Sequence, residues 1–256
     1  HSGGGPLSSD EPSKNELTDT PNSSLLHDLI AAHPNCAECS SEGVQWVSTS
    51  LGVTLCSDCA TAHRKLGTSI SSIRSIYMDL WSPIMLNSIL HTLGNDLNKQ
   101  IWEPSIPVGW RKPVSADSAY VKEQWITAKY QWFGFVEEVR VEPTRASINL
   151  ARAAAQGDSL KIMWCLAHKS DVNSLPVDIT IEVEGEPIRF TGTSPLHCAC
   201  ERGHINAVAL LVQNGADLSK KDDLGRTPLD VARAASTPNH DVIKTILIQK
   251  QERLLW

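Results

Sequence analysis

Long apolar runs are missing from this sequence of 256 residues. No stretch approaches the roughly 18 to 20 consecutive apolar residues that a membrane-spanning helix requires. The N-terminus also lacks a positively charged segment followed by an apolar one, so no secretion signal is in view. These absences predict a soluble chain.

A surplus of positive charge is missing as well. The chain has 23 Lys and Arg against 29 Asp and Glu, which gives a formal net charge of −6. A general binder of nucleic-acid phosphates normally needs a basic surplus, so the composition disfavours that class. The charge is nevertheless uneven, because the charged residues between Asp58 and Asp79 are Arg64, Lys65 and Arg74. A local basic face can therefore exist on this acidic chain.

The length and a hydrophobic content of 41% favour two domains, each able to bury its own core. Residues 1–23 are different, since they are rich in Ser, Gly, Pro and acidic residues. Such a segment buries too little apolar surface to offset the entropy of ordering. We expect it to be disordered, and its first letters, HSGGG, suggest an expression remnant.

The cysteines do not form a disulfide pattern. Their number is odd, at seven, and four of them form two CxxC pairs separated by sixteen residues. Each CxxC turn presents two thiolates, and four thiolates complete the closed tetrahedron of a structural zinc site. The spacing predicts one structural Zn²⁺, with no open position for a catalytic water, bound by Cys36, Cys39, Cys56 and Cys59.

Two residues follow the last of these cysteines closely. His63 is expected to pack or hydrogen-bond beside the site, although the residues alone leave open a role as a competing ligand or a base. Arg64 is ordinarily interpreted as a solvated helical arginine. A helix that begins at the fourth cysteine would be fixed to the zinc, however, and would give Arg64 a rigid base. A guanidinium group suits phosphate oxygens because it offers paired N–H donors.

Apolar spacing predicts the helices that follow. Ser24 is expected to cap a short helix that ends at Ala32. A helix beginning at Pro83 is expected to break near Gly94. A second long helix is indicated by the apolar residues Val121, Trp125, Ala128, Trp132 and Val136. We expect it to pack back on the zinc module and to close the domain near residue 139.

The second half of the sequence repeats itself with a period of 33 residues, because the segment from Ser194 matches the segment from Thr227. Both residues are expected to cap helices, and Gly203 is expected to end one. An earlier, degenerate copy matches at a shift of 46 residues, with Gly157 opposite Gly203. The extra residues predict a hairpin insertion near 175–191. This text resembles ankyrin repeats.

The zinc segment and its surroundings also carry a resemblance. Its pattern is CxxC, sixteen residues, CxxC, four residues and then Arg64. This pattern is similar to the zinc module of the GTPase-activating proteins for ADP-ribosylation factor (Arf) GTPases. The resemblance covers about residues 25–139, and its further matches are Trp46, Gly52, His63, Leu66-Gly67, Arg74-Ser75, Asp79, Trp81 and the stretch LGNDLNKQIWE. Ankyrin repeats directly after this module are typical of the centaurin-beta (ACAP-like) subgroup. Members of that subgroup often carry membrane-binding domains upstream, so the sequence is expected to be a fragment.

The resemblance implies an activator that completes the active site of a partner GTPase and has no independent active site. Arg64 would act as the arginine finger, and the partner would be an Arf-type GTPase in its GTP form. The partner's nucleotide explains why this chain has no Gly-rich phosphate loop. Trp46 is either a core aromatic or a wall that supports Arg64, while Arg74 and Lys65 either line the contact face or are solvated. The resemblance also implies a cytoplasmic protein of endosomal or plasma-membrane trafficking, held at membranes indirectly or through upstream domains.

The resulting prediction is a mostly α-helical fold: a four-cysteine, Arf-activator domain with a small sheet (24–140), then about three ankyrin repeats (145–256). One alternative is a zinc and ankyrin scaffold that binds proteins without accelerating hydrolysis. A further alternative is a nucleic-acid-binding finger of the erythroid transcription-factor (GATA-like) type, which the acidic composition disfavours. The ankyrin repeats are expected to bind other proteins or to brace the first domain, and the acidic turn near Glu182 is a candidate contact.

Overall fold

The structure is a computed structural model that describes residues 22–139, 142–176, 179–183 and 186–252, with the backbone alone at 90–92, 183 and 186. The described residues form a mostly helical fold with one three-stranded and one two-stranded sheet. Most of the N-terminal segment predicted to be disordered, residues 1–21, lies outside the described residues. Within the described part, no helix is long and apolar enough to cross a bilayer.

The first region contains the cysteines and a small sheet surrounded by helices. Its elements are α1 (Ser23–Ala32), β1 (Trp46–Ser48), β2 (Val53–Leu55), α2 (Ser57–Lys65), β3 (Ile73–Ser75), α3 (Pro83–Thr92), α4 (Asn95–Trp102), α5 (Ala119–Ile126) and a π-helical turn (Thr127–Gln131). The strands are antiparallel in the order β2, β1, β3, and Trp46 lies opposite Leu55 and Ser75.

Two of the predicted helix limits are wrong. Helix α1 begins two residues earlier than expected, and its N-cap is Asn22, not Ser24. The long helix predicted as far as Val136 ends at Gln131 in a wider π-helical turn. Trp132 follows this turn and is 56% exposed, so it does not pack back on the zinc module. The apolar spacing continues past this end, where Phe133 has a positive φ (+56°) and the Gly134 N–H donates to the Ala128 carbonyl at 2.8 Å.

The predicted break near Gly94 is present, and it separates α3 from α4. Gly94 has φ of +135° and ψ of 169°, a conformation essentially restricted to glycine. A Cβ atom at this position would come within 2.6 Å of the His33 imidazole. The next residue, Asn95, accepts a hydrogen bond from the Thr54 backbone N–H (3.1 Å) and donates to the Asn35 carbonyl (2.8 Å). The break therefore joins α4 to the sheet and to the chain that leads into the first cysteine pair.

The second region stacks helix pairs and includes a hairpin. Its elements are α6 (Pro143–Gln156), α7 (Ser159–Ala167), β4 (Ile179–Val183), β5 (Glu186–Phe190), α8 (Pro195–Arg202), α9 (Ile205–Gln213), α10 (Pro228–Ala234) and α11 (His240–Gln251). Strands β4 and β5 pair antiparallel within the stretch where the sequence predicts a hairpin. The turn between them, 184–185, lies outside the described residues.

The helix ends of this region follow the repeat pattern. Ser194 and Thr227 are the N-caps of α8 and α10, and each forms a capping box with the residue three positions later. Gly157 and Gly203 end α6 and α8 in the left-handed conformation that glycine adopts without steric cost. The sequence predictions for these caps are confirmed.

The two regions share an interface. The Thr49 hydroxyl donates to Gln213 Oε1 (2.9 Å), and Asn214 Nδ2 donates to the Ser50 carbonyl (3.1 Å). Helix α3 packs against α9, and α4 packs against α7. The larger apolar cluster of the described chain runs through both regions without interruption. The turn after β1 is therefore held by the end of α9.

Candidate metal centre and exposed arginine

Four cysteines meet at the start of α2. The turn before β1 supplies Cys36 and Cys39, and the residues at the start of α2 supply Cys56 and Cys59. Their sulfur atoms all lie within 4.8 Å of one another. All seven cysteines of the chain are free, and Cys165, Cys198 and Cys200 are buried in helices of the second region.

The cluster fits a tetrahedral zinc ion. A Zn–S distance of about 2.3 Å separates tetrahedral ligand sulfurs by about 3.8 Å. The Sγ atoms of Cys39 and Cys56, one from each CxxC pair, are 3.7 Å apart. Four thiolates leave no coordination position for water, so an ion bound here would fix the turn at Cys36 to the start of α2. The predicted cofactor, one structural Zn²⁺, agrees with this geometry.

A buried carboxylate lies directly behind the metal centre. Glu38, between the two cysteines of the first pair, is fully buried. It accepts hydrogen bonds from Lys129 Nζ (3.1 Å), Trp125 Nε1 (3.2 Å) and the Tyr130 hydroxyl (2.7 Å). Burial alone would raise the pKa of Glu38, but the ammonium group of Lys129 opposes this and the pKa is lowered overall. The carboxylate therefore remains ionised inside the domain.

A second carboxylate balances the charge of this network. Lys129 Nζ also lies 2.7 Å from Glu103 Oε1, and Glu103 accepts from Lys112 Nζ at 2.9 Å. Two buried carboxylates thus face two ammonium groups, of which Lys129 is buried and Lys112 is partly exposed. The π-helical turn places Lys129 and Tyr130 beside Glu38 together, because its wider backbone shifts the side chains relative to an α-helix.

His63 belongs to the same buried network and not to the metal. Its Nδ1 atom lies 2.9 Å from the Ser71 hydroxyl, and its Nε2 atom lies 3.6 Å from Glu38 Oε1. The second distance exceeds that of a hydrogen bond, so Nε2 has no partner among the described residues. The structure therefore places His63 beside the cysteines, as the favoured interpretation of the sequence had it.

Arg64 points the other way, toward solvent. It lies in the last turn of α2, and the helix that carries it begins at the cysteine cluster. Its guanidinium carbon is 4.2 Å from the centroid of the Trp46 ring, a cation–π distance. Trp46 is itself fixed, because its indole N–H donates to Ser57 Oγ (3.2 Å) and Ser57 donates to Gln45 (2.6 Å). Among the described residues, Arg64 forms no ion pair.

The other two basic residues of this stretch are partly engaged. Lys65 Nζ pairs with Glu123 of α5 at 2.5 Å, on an exposed face. Arg74 donates to the Leu80 carbonyl at 2.8 Å. Lys122 of α5 also pairs with Asp58 of α2 at 2.8 Å. The ion pairs with α5 hold α2 in place, while the Arg64 guanidinium remains available for another molecule.

Sequence reasoning missed the network of Glu38, Lys129, Tyr130 and Glu103. A charged residue within a CxxC pair is usually interpreted as exposed, and Lys129 occurs in a stretch of alternating apolar and polar letters. The neighbouring Trp125 and Tyr130 offered a weak signal, because both rings carry a polar atom that seeks a partner when buried.

Comparison with known families assigns both regions. Residues 23–138 match the ArfGap family, described as GTPase activating protein for Arf. Residues 150–253 match ankyrin repeats in three copies. The predicted fold class, an Arf-activator domain with four cysteines followed by a short ankyrin stack, is confirmed.

The chain also aligns with curated proteins over most of its own length. The chain is 32% identical over 224 residues to ARF GTPase-activating protein GIT1 of Homo sapiens, covering 83% of this chain and 28% of that protein. It is 31% identical over 263 residues to ADP-ribosylation factor GTPase-activating protein AGD4 of Arabidopsis thaliana, and this alignment covers 83% of this chain and 33% of that protein. The chain thus spans about a third or less of the length of these relatives. Neither bears the centaurin-beta name, and that finer assignment stays a prediction.

Solved structures also match the first region. The ArfGap domain of human RIP aligns with 47% of this chain and 92% of its own length, at 21% identity and a TM-score of 0.40. The ArfGap domain of HIV-1 Rev binding protein aligns with 45% of this chain and 86% of its own length, at 20% identity and a TM-score of 0.39.

Proposed function

We propose that this chain, which belongs to the ArfGap proteins with ankyrin repeats, accelerates GTP hydrolysis by a small GTPase of the Arf type. The partner supplies the bound GTP, Mg²⁺ and the residue that orients the attacking water. This chain supplies Arg64, whose guanidinium enters the partner's nucleotide site and stabilises the negative charge that develops on the transferred phosphoryl group. It needs no active site of its own.

The position of Arg64 is the observation that carries the proposal. The side chain is exposed, lies on the Trp46 ring and has no ion-pair partner among the described residues. Its helix is fixed at one end by the cysteine cluster and along its length by ion pairs to α5. A guanidinium held in this way loses little conformational entropy on entering another protein, because its base is already ordered.

The metal supplies only structure in this proposal. Cys36, Cys39, Cys56 and Cys59 would hold one Zn²⁺ and close the coordination sphere. Among the residues of this chain, Arg64 is the one proposed to contact the phosphoryl group. Of the two interpretations of Trp46, the wall that supports Arg64 is the one that the 4.2 Å cation–π contact favours.

Single-turnover GTP hydrolysis by an Arf-type GTPase tests the proposal. We expect the chain to accelerate hydrolysis, and we expect Arg64→Lys to lose about 10³-fold or more of that acceleration, since lysine keeps the charge but not the paired N–H donors. Arg152→Lys, which changes an exposed arginine on α6, is the matched control and should retain the wild-type rate.

Two results would contradict the proposal in different ways. Equal rates with wild type and Arg64→Lys would reject the arginine-finger role. No acceleration by wild type with any Arf-type partner would favour the alternative, a zinc and ankyrin scaffold. The nucleic-acid alternative is tested separately by a gel shift with random DNA at moderate salt, where we expect no binding by this acidic chain.

The place of the protein in the cell follows from the same proposal. An activator of Arf-type GTPases would act in the cytoplasm, at membranes where its partner is loaded with GTP. We propose that this chain reaches the membrane through the partner or through further domains, and that the ankyrin repeats contribute contacts to other proteins. The domain limits proposed are 24–140 and 145–256.

A further inference from the structure

A groove lies at the junction of the two regions, and Arg64 is not among the residues that line it. It has a volume of about 460 Å³, within the range of roughly 300 to 1,000 Å³ that is typical of ligand sites. Its walls are formed by three segments: the connector after α4, the segment after the π-helical turn and the end of α7. We call it the Trp132 groove, and it is lined by Pro107, Trp132, Phe133, Val136, Val139 and Ala167.

Large apolar side chains are unusually exposed in and beside the Trp132 groove. Trp132 is 56% exposed and Val139 40%. The connector that forms one edge adds Ile106, 41% exposed, and Val108, which is fully exposed. Scattered apolar residues are normal on a surface, but a group of them at one groove marks an interaction site. Tryptophan is also the residue that most often contributes strongly to protein interfaces.

The groove is preformed. Phe135, beneath it, is buried and packs against Trp125 and the edge of Trp110 at centroid distances of 4.5 and 5.2 Å. The Ser105 backbone N–H donates to the Phe135 carbonyl at 2.9 Å, which ties the connector to this segment. His168 Nε2 lies 3.1 Å from the Glu137 carbonyl oxygen and joins α7 to the same segment. The exposed side chains therefore stand on an ordered surface and are not the result of fraying.

The charge of the groove is acidic on balance, since its lining has two exposed carboxylates and one exposed lysine. Glu137 and Glu138 line it, both are exposed, and within the described part of the chain neither carboxylate has an ion-pair partner. The lysine of the lining, Lys169, is already placed on an aromatic ring, with Nζ 4.7 Å from the centroid of Phe133. A ligand that fits this surface combines a large apolar group with a positive charge.

We propose that the Trp132 groove binds a short peptide segment of a partner protein, with a large apolar side chain against Trp132 and a Lys or Arg against Glu137 and Glu138. A second copy of this chain fits less well, because both copies carry a net charge of −6. An anionic lipid surface is disfavoured for the same electrostatic reason, since it would meet two unpaired carboxylates. The surface would let the protein recognise a partner while Arg64 remains free for the GTPase.

Selection of short random peptides on the zinc-loaded full chain tests this proposal. We expect the enriched peptides to share a large apolar residue close to Lys or Arg. A synthetic peptide of that sequence should lose about tenfold in affinity on Trp132→Ala. The variant Glu137→Lys/Glu138→Lys should weaken the same peptide and should bind its charge-reversed counterpart better than wild type does.

Matched controls separate the groove from general surface effects. Leu224→Ala removes a side chain that is 75% exposed in the ankyrin region and should leave peptide affinity unchanged. Val139→Ser offers a second groove variant with little risk to folding, because this lining side chain is 40% exposed. Zinc content and far-UV circular dichroism confirm that each variant is folded, and GTPase activation should remain at the wild-type level in all of them.

Four results would overturn the proposal. The selection could enrich no common sequence, or it could enrich peptides whose affinity is the same for wild type, Trp132→Ala and Val139→Ser. Sedimentation could show a dimer that Trp132→Ala abolishes, which would assign the groove to a second copy. Binding to phosphatidylserine vesicles that depends on Trp132 would assign it to a lipid surface.

Discussion

Lys129 and Glu38 are both buried, and their charged atoms lie 3.1 Å apart directly behind the four-cysteine cluster. This pair joins the turn that presents Cys36 and Cys39 to the π-helical turn after α5. A buried ion pair adds little net stability, but removing one partner leaves an uncompensated charge. The pair therefore makes the position of the metal turn depend on α5.

The first prediction concerns this pair. Lys129→Met should lower the free energy of unfolding by about 3 to 5 kcal/mol, because Glu38 then remains buried without its main counter-charge. Chemical denaturation with excess zinc measures the change. The double variant Glu38→Gln/Lys129→Met should recover part of the loss. A double variant that is no more stable than Lys129→Met would show that lost packing, and not the unpaired carboxylate, causes the effect.

Removal of zinc should unfold the region around residues 33–80. Structural zinc contributes about 10 to 16 kcal/mol in small zinc domains, which exceeds the net stability of most domains. Hydrogen exchange with and without a chelator measures the extent. Cys36→Ser should lose the metal, whereas Cys198→Ser, at a buried cysteine outside the cluster, should bind one zinc ion per chain. Zinc retention by Cys36→Ser would contradict the assigned ligand set.

Trp46 should matter for the activity through Arg64. A cation–π contact at an exposed site contributes about 0.5 to 1 kcal/mol, so Trp46→Ala should lower the single-turnover rate by about two- to fivefold. The concentration of chain that gives half-maximal rate should change less than the rate itself. Trp46→Phe keeps an aromatic face and should recover part of the loss. Wild-type rates from Trp46→Ala would favour the core interpretation of this residue.

Gly94→Ala should destabilise the first region. The residue occupies a backbone conformation that other residues rarely adopt, and its Cβ would contact the His33 ring at 2.6 Å. We expect a loss of more than about 2 kcal/mol, since backbone strain and overpacking each cost about 1 to 3 kcal/mol. Gly109→Ala is the matched control, because Gly109 also has a positive φ (+92°) but has nothing within 4 Å of the added atom. Thermal unfolding compares them, and equal losses would rule out the contact with His33.

The ankyrin region should lose stability as the pH falls from about 7 to 5.5. Burial lowers the pKa of His197 in the folded state, so the unfolded chain, with a histidine pKa of about 6.5, takes up the proton more readily. The stability that neutral His197 provides is thus present above pH 6.5 and is lost as the pH falls toward the lowered folded-state pKa. His197 lies 2.7 Å from Ser194 Oγ and 2.9 Å from the Arg226 carbonyl, contacts that the neutral ring satisfies.

Substitution of two histidines isolates this effect. His197→Gln should flatten the dependence of unfolding free energy on pH, whereas His27→Gln, at an exposed position on α1, should leave it unchanged. Denaturation at each pH measures the slope, and zinc content measured in parallel shows that the metal remains bound. An unchanged slope in His197→Gln would assign the pH dependence to other groups.

Several structural features of this protein could be predicted from the sequence, because they depend on residues that are close together in the chain. The CxxC spacing predicted the metal centre, since two thiols three residues apart share one turn. Proline after Ser194 and Thr227 predicted the caps, since capping involves residues within one turn. The end of the helix at Gln131 was missed, because the apolar spacing continues beyond it. A local turn ends this helix, since Phe133 has a positive φ (+56°) and the Gly134 N–H donates to the Ala128 carbonyl at 2.8 Å.

The sequence by itself determined the four-cysteine cluster, the order of the two domains and the helix caps at Ser194 and Thr227, all of which follow from short spacings along the chain. The tertiary structure alone decided which charges are buried, where the groove forms and how the regions meet. Glu38 and Lys129 are 91 residues apart, and Thr49 and Gln213 are 164 apart. Contacts over such separations leave no local pattern, because the energy that selects them appears only when the intervening chain has folded and excluded water.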